Sequence, residues 1–213
     1  MNNKPLVYPS TNPPIIPFAI NTIMSGYLEL IIGPMFSGKT SALISLYRQY
    51  ILYNKNVCIV NYALDKRYSD KKMTTHDNVG IDCVFVDSLE ELKNNAYDVI
   101  LVNEGQFFDD LVPVVKKWVE IDNKRIHIGA LDGDFMRRPF ENISNLIPIC
   151  DSLLKRKSIC LGCNDGTEAL FSMRYNTDNT NIIDIGGSET YKPVCRLCYK
   201  KQLSNQSKES FGL

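Results

Sequence analysis

Three groups of residues in this chain combine types and spacings that could do chemistry. The run Gly33-Pro34-Met35-Phe36-Ser37-Gly38-Lys39-Thr40 fits G-x-x-x-x-G-K-[ST]. Its glycines let the backbone fold around an oxyanion while successive N–H groups point inward. In such a loop Lys39 neutralises the β- and γ-phosphates and the Thr40 hydroxyl ligates Mg²⁺. Glu104, in Asn103-Glu104-Gly105-Gln106-Phe107-Phe108, could accept a proton from a hydroxyl nucleophile, or could be an ordinary exposed loop glutamate. Cys160-x-x-Cys163 and Cys195-x-x-Cys198 are two knuckles whose thiolates can converge on one tetrahedral ion at about 2.3 Å per Zn–S bond. Four sulfurs leave no open coordination position, so the zinc they imply is structural; a redox dithiol is the alternative.

Other residues point less sharply. The run 131–140 sets Phe135 and Phe140 beside Arg137 and Arg138; a flat base could stack on such rings, and the same rings could serve a core. Asp65-Lys66-Arg67-Tyr68 reads either as a charged turn or as part of a site. His76 and His127 have no sequence neighbour that suggests metal or catalysis and read as structural. Cys58, Cys83 and Cys150 lie in apolar surroundings and read as small buried hydrophobes.

The elements around these groups would place them together. The apolar run Tyr27–Ile32 reads as a strand ending at Gly33, and 39–53 carries Leu43, Leu46, Tyr47, Tyr50 and Ile51 at helical spacing. The glycine-rich loop therefore opens a helix, whose N-terminal partial charge favours an anion. Strands are expected over 57–60 and 83–86, then a helix over 89–95 with Ser88 and Glu91 as its capping box. A buried strand over 98–102 leaves Glu104 at its C-terminal end, where α/β sheets bind ligands. A helix over 112–122 tolerates Pro113 in its first turn, and 125–131 returns as a strand. Alternating strands and helices predict an α/β fold with a parallel sheet covered on both faces. After Asp151 the cysteine pairs bracket two expected strands, 171–176 and 181–185, in a small β unit. The expected organisation is a Pro-rich extension 1–26, an α/β domain 27–150, a zinc-binding unit 151–201 and a tail 202–213.

Composition excludes several classes. The 213 residues fit one core with a small satellite, and 44% apolar with 23% charged residues excludes disorder and collagen-like repeats. Zero formal net charge and a pI of about 6.7 lack the basic footprint of a nucleic-acid binder. No apolar run approaches the ~20 residues of a membrane span, and Pro5, Pro9, Pro13, Pro14 and Pro17 break up a start unlike a signal peptide. Seven cysteines without an export signal argue against a disulfide scaffold. The expectation is a cytoplasmic protein that binds neither nucleic acid nor membrane.

Taken in order, GPMFSGKT (33–40), DKRYS (65–69), THD (75–77), EGQFF (104–108), ALDGDFMRRPF (130–140), both cysteine pairs and YKPVCRLCY (191–199) resemble the type II thymidine kinases, a family of cellular, bacterial, poxviral and other large-DNA-virus enzymes. The resemblance covers nearly everything from Tyr27 to Lys200. It implies a P-loop, RecA-like domain with a zinc ribbon and lasso loop, and transfer of the γ-phosphoryl of ATP to the 5′-hydroxyl of thymidine, giving dTMP. It implies that Gly33, Pro34, Met35, Phe36, Ser37, Gly38, Lys39 and Thr40 hold the triphosphate, with Asp65, Arg67, Asn103 and Gln106 around it. Glu104 would be the base. Met35, Phe107, Leu131, Phe135, Phe140, Ser172 and Tyr191 would line the thymine pocket, closed by the lasso residues Ile182, Asp184 and Gly186. Cys160, Cys163, Cys195 and Cys198 would hold Zn²⁺, Thr40 would reach Mg²⁺, and the family implies a homotetramer inhibited by dTTP.

The chain departs from that pattern in places. Asn103 stands where the family usually has a metal-directed Asp; an amide brings no charge to Mg²⁺. Weaker Mg²⁺ binding is expected, with Asp65 partly compensating. The spacer 164–170 is longer than usual, and Asp134 is unusual between Gly133 and Phe135. Two other functions remain open at this point: a small ATPase whose zinc unit contacts nucleic acid, and a homologue that binds nucleotide without catalysis.

Overall fold

Six parallel strands form the central sheet in a computed structural model that describes residues 25–64, 72–74, 79–92, 96–175 and 190–202. In chain order the strands are β1 (Tyr27–Ile32), β2 (Val57–Tyr62), β3 (Lys72–Thr74), β4 (Gly80–Asp82), β5 (Val84–Val86), β6 (Val99–Asn103), β7 (Arg125–Ala130) and β8 (Ser152–Lys155). Four short ones follow: β9 (Ser158–Ile159), β10 (Glu168–Ala169), β11 (Phe171–Arg174) and β12 (Tyr191–Val194). The helices include α1 (Lys39–Leu52), α2 (Leu111–Glu120) and α3 (Glu141–Ser144), and residues 196–202, which follow the first cysteine of the second pair, are also helical. The sheet order is β5-β2-β6-β7-β1-β8, and three two-stranded pairs, β3-β4, β9-β10 and β11-β12, stand apart from it.

Parallel strands buried on both faces read as continuous apolar runs, and β6 (Val99–Asn103) is buried at every residue. Leu28, Leu30, Ile32, Cys58, Val60, Ile100, Val102, Ile126 and Ile128 turn to one face, packing with Leu111, Val114, Val115 and Trp118 of α2 and with Ile143 of α3. Ile31, Ile59, Val99 and Leu101 turn to the other, packing with Leu43 and Ile44 of α1. Each large apolar side chain so buried contributes roughly 1.5–3 kcal/mol. The expected α/β sheet covered on both faces is present. Among the described residues no helix is long and apolar enough to cross a membrane.

Beyond the short elements α3, β3, β4, β9, β10 and β12, which the sequence reading did not name, two differences concern the sheet and its helices. The helix expected over 89–95 is a single 3-10 turn, Leu89–Glu91, after which Leu92 is extended at ψ 115°. The capping box is made, with Ser88 N donating to Glu91 Oε1 at 3.1 Å and Glu90 N to Ser88 Oγ at 3.2 Å. A cap alone does not propagate a helix without an apolar face to bury, and only Leu89 of this turn is buried. The second difference is β8, a sixth sheet strand that the periodicity did not signal, paired in register with Glu29 to Ile32 of β1. Leu153 and Leu154 of this edge strand are 45% and 44% exposed, so the segment lacks the alternation of a half-buried strand. The strand expected over 181–185, the extension up to residue 24 and the tail from 203 lie outside the described residues.

Candidate active site

The C-terminal ends of β1 and β6 carry the two loops that matter. Between β1 and α1 the chain turns through Gly33 (φ 147°), Phe36 (φ 60°) and Gly38 (φ 76°). Such left-handed positions let a loop curl tightly, the backbone form of an anion-binding nest. Lys39 is buried, and its ammonium donates to the carbonyls of Gly33 at 3.1 Å and Pro34 at 2.7 Å. Ser37 Oγ is buried and has no hydrogen-bond partner among the described residues. Buried hydroxyls are normally satisfied, so such an orphan marks a place where a polar ligand or water belongs. The loop's outer side is tied down: Met35 N donates to Ser172 Oγ at 2.9 Å, Ser158 Oγ to Phe36 O at 3.1 Å, and Arg156 Nε to Ser37 O at 2.7 Å.

Beside the loop, Thr40 Oγ1 donates to Asn103 Oδ1 at 3.3 Å, and Asn103 Nδ2 donates to Asn61 Oδ1 at 2.8 Å. Both asparagines are buried. The next residue, Glu104, sits in the left-handed region at φ 54°, ψ 43°, a conformation that costs a non-glycine residue about 1–3 kcal/mol and clusters at functional sites. Gln106 orients it: Nε2 donates to Glu104 Oε2 at 2.6 Å, while Oε1 accepts from Leu131 N at 3.0 Å. Asn142, which the sequence reading did not single out, donates through Nδ2 to Gln106 O at 3.1 Å and Phe108 O at 3.0 Å. Gly105 is required by close approach, since a Cβ there would lie 2.5 Å from Ile128 Cγ2.

The 131–140 segment folds as a hairpin, with Gly133 bridging Pro139. Asp134 explains its own presence: its carboxylate accepts from Met136 N and Arg138 N, each at 2.8 Å, and pairs with Arg138 Nη2 at 2.6 Å. The hairpin is fastened to the segment that follows β12 by Tyr199 Oη donating to Phe135 O at 2.8 Å and by Arg137 over the Tyr199 ring at 4.3 Å. The guanidinium of Arg174, also not foreseen, lies 4.9 Å from the Phe135 ring and 5.5 Å from that of Tyr191. Ser172 and Arg174 share one face of β11 at strand spacing, which could have flagged Arg174 once Ser172 was named.

The four cysteine sulfurs lie within 4.8 Å of one another. Cys163 Sγ is 3.7 Å from Cys195 Sγ and 3.5 Å from Cys198 Sγ, close to the ~3.8 Å edge of a tetrahedron with 2.3 Å metal–sulfur bonds. Burial raises the Cys160 thiol, but N–H donors of Cys195, Cys163 and Gly162 outweigh it and bring it down to about 6. Hydrogen bonding to Cys163 pushes Cys198 up to about 12 in the metal-free cluster. The set fits one zinc ion.

A comparison with models of known protein families matches residues 26–199 to that of thymidine kinase. The chain belongs to the thymidine kinase family. Among curated relatives, thymidine kinase of Yaba monkey tumor virus is 41% identical over 179 residues, covering 83% of this chain and 96% of that protein. Those of rabbit fibroma virus and monkeypox virus are 39% and 40% identical over 180 and 176 residues, covering 84% and 82% of this chain and 98% and 97% of theirs.

Set against the family-implied site, the described residues fall into three groups. The loop 33–40, Asn103, Glu104 and Gln106 come together at the ends of β1 and β6, with Leu131 held to Gln106. Met35, Ser172, Phe135 and Tyr191 gather around the Arg174 strand. Phe107 lies beside Tyr62, with ring centroids 5.6 Å apart and the rings tilted by 34°, and Phe140 packs against the main core. Asp65, Arg67, Ile182, Asp184 and Gly186 lie outside the described residues. His127 is structural as expected: it is buried, with Nδ1 2.7 Å from Glu29 Oε2 and Nε2 2.9 Å from Tyr50 Oη.

Proposed function

We propose that this thymidine kinase family member binds ATP in the 33–40 loop and transfers its γ-phosphoryl to the 5′-hydroxyl of thymidine, with Glu104 as general base. The observation that carries the reading is the adjacency of two devices. A glycine-rich loop with a buried ammonium and an orphaned Ser37 hydroxyl lies next to a carboxylate held by Gln106 in a strained backbone conformation. Phosphoryl transfer needs positioning and charge stabilisation more than covalent chemistry. Lys39 would leave the Gly33 and Pro34 carbonyls for the β- and γ-phosphates, and the backbone N–H groups would take the remaining oxygens. The bond from Gln106 fixes one Glu104 oxygen and thereby aims the carboxylate at the acceptor hydroxyl.

The base would lie in the pocket of Met35, Leu131, Phe135, Ser172 and Tyr191, with the 182–186 segment as its cover. The Thr40 hydroxyl and Asn103 Oδ1 are hard oxygen donors suited to Mg²⁺, which would neutralise charge between the β- and γ-phosphates. Zinc on the four cysteines would have a structural role, holding β9–β12 (the strands that bring Ser172 and Tyr191) against the loop and hairpin. The reading carries the family-implied homotetramer and dTTP inhibition with it. The test is phosphoryl transfer from labelled ATP with Mg²⁺, offering thymidine, deoxycytidine and deoxyadenosine separately. Labelled product with thymidine alone supports the proposal; ATP binding without any nucleoside product would sink it.

A further inference from the structure

Arg156 follows β8 at the end of the sheet where the 33–40 loop opens, and it touches that loop at both of its glycines. Its main chain closes on the first: Arg156 N donates to Ile32 O at 2.7 Å, and Arg156 O lies 2.5 Å from the point where a Gly33 Cβ would stand. Its side chain reaches the last: Nε donates to Ser37 O at 2.7 Å, and Nη2 lies 3.2 Å from the point of a Gly38 Cβ. Two residues on, Ser158 Oγ holds Phe36 O at 3.1 Å. Among the described residues no carboxylate pairs with the guanidinium.

A trans peptide points its carbonyl and the following N–H in opposite directions. Holding Phe36 O and Ser37 O from outside therefore aims the N–H groups of Ser37 and Gly38 into the loop, where an oxyanion would meet them. The arginine also sets a full positive charge against Gly38. We propose that Arg156 is a positioning residue for the triphosphate, acting on ATP through the Ser37–Gly38 peptide and not on the nucleoside. The proposal rests on the reading that the loop binds ATP.

The experiment compares the full-length wild type with Arg156→Met and Arg156→Lys. It measures dissociation constants for ATP, inorganic triphosphate and thymidine, with ligand-free Tm as a control. Loss of one charged hydrogen bond predicts that Arg156→Met weakens ATP and triphosphate about tenfold or more. Thymidine should change less than twofold and Tm by no more than a few degrees. Arg156→Lys, which keeps the charge and can still donate to Ser37 O, should fall between the two. An unchanged ATP constant in Arg156→Met overturns the proposal, and so does equal weakening of ATP and thymidine with a large fall in Tm. Wild type that binds ATP but phosphorylates no nucleoside overturns the kinase reading instead, while the ATP comparison still decides the role of Arg156.

Discussion

Replacing Asn103 by Asp would put a carboxylate where the family usually has one, inside a pocket built for an amide. Asn103 is 5% exposed and Asn61 3%. The substitution removes the Nδ2 donor and sets a carboxylate oxygen 2.8 Å from Asn61 Oδ1 unless Asn61 turns its own amide over. Leaving a buried polar group unpaired costs about 1–3 kcal/mol, partly offset by charge-assisted bonds from Thr40 Oγ1 and a turned Asn61. A net loss of about 2 kcal/mol without ligand corresponds to a Tm lowered by roughly 4–8 °C for a chain of this size. Bound Mg·ATP reverses the sign, because a unit charge pair at ~4 Å and an effective dielectric of ~20 is worth about 4 kcal/mol. Thermal unfolding with and without Mg·ATP, with a Mg²⁺ titration of turnover, should show the variant less stable when empty, more strongly raised by Mg·ATP, and half-saturated at lower Mg²⁺. A variant with unchanged empty Tm and an unchanged Mg²⁺ requirement would refute the account of this pair.

Three further outcomes are expected. Gly105→Ala should cost about 1–3 kcal/mol by overpacking against Ile128, and because it also shifts the Glu104 turn, turnover should fall more than thymidine binding. Cys163→Ser should bind less zinc than wild type, read by metal analysis of both proteins, and weaken thymidine binding through the loosened β11-β12 pair. Burial holds His127 below its ordinary 6.5, with the Glu29 hydrogen bond opposing. The unfolded chain therefore takes up that proton first: the contribution of neutral His127 is complete above pH 6.5 and is lost as pH falls below it. Tm measured against pH should thus show a flatter acid limb in His127→Gln.

Strands of the central sheet were legible because burial on both faces leaves a continuous apolar run: Tyr27–Ile32 has the bounds expected of it, and Val99–Asn103 is shifted by one residue. The glycine-rich loop, Glu104 and the cysteine knuckles were legible because their chemistry restricts residue type at fixed spacing. β8 was not, since its pairing depends on an edge that β1 offers only once folded. The roles of Asn61, Asn142 and Arg156 were equally hidden: each acts through contacts 34 to 124 residues away along the chain. Asp134 looked anomalous from sequence because its partners are the backbone N–H groups of its own turn.

The most direct test of the account is thymidine phosphorylation by Glu104→Gln. The amide keeps the side chain's shape and removes its ability to take the hydroxyl proton. The account predicts that turnover falls by about 10²–10⁴-fold, with ATP and thymidine binding close to wild type. Turnover within a few-fold of wild type would contradict Glu104 as the base.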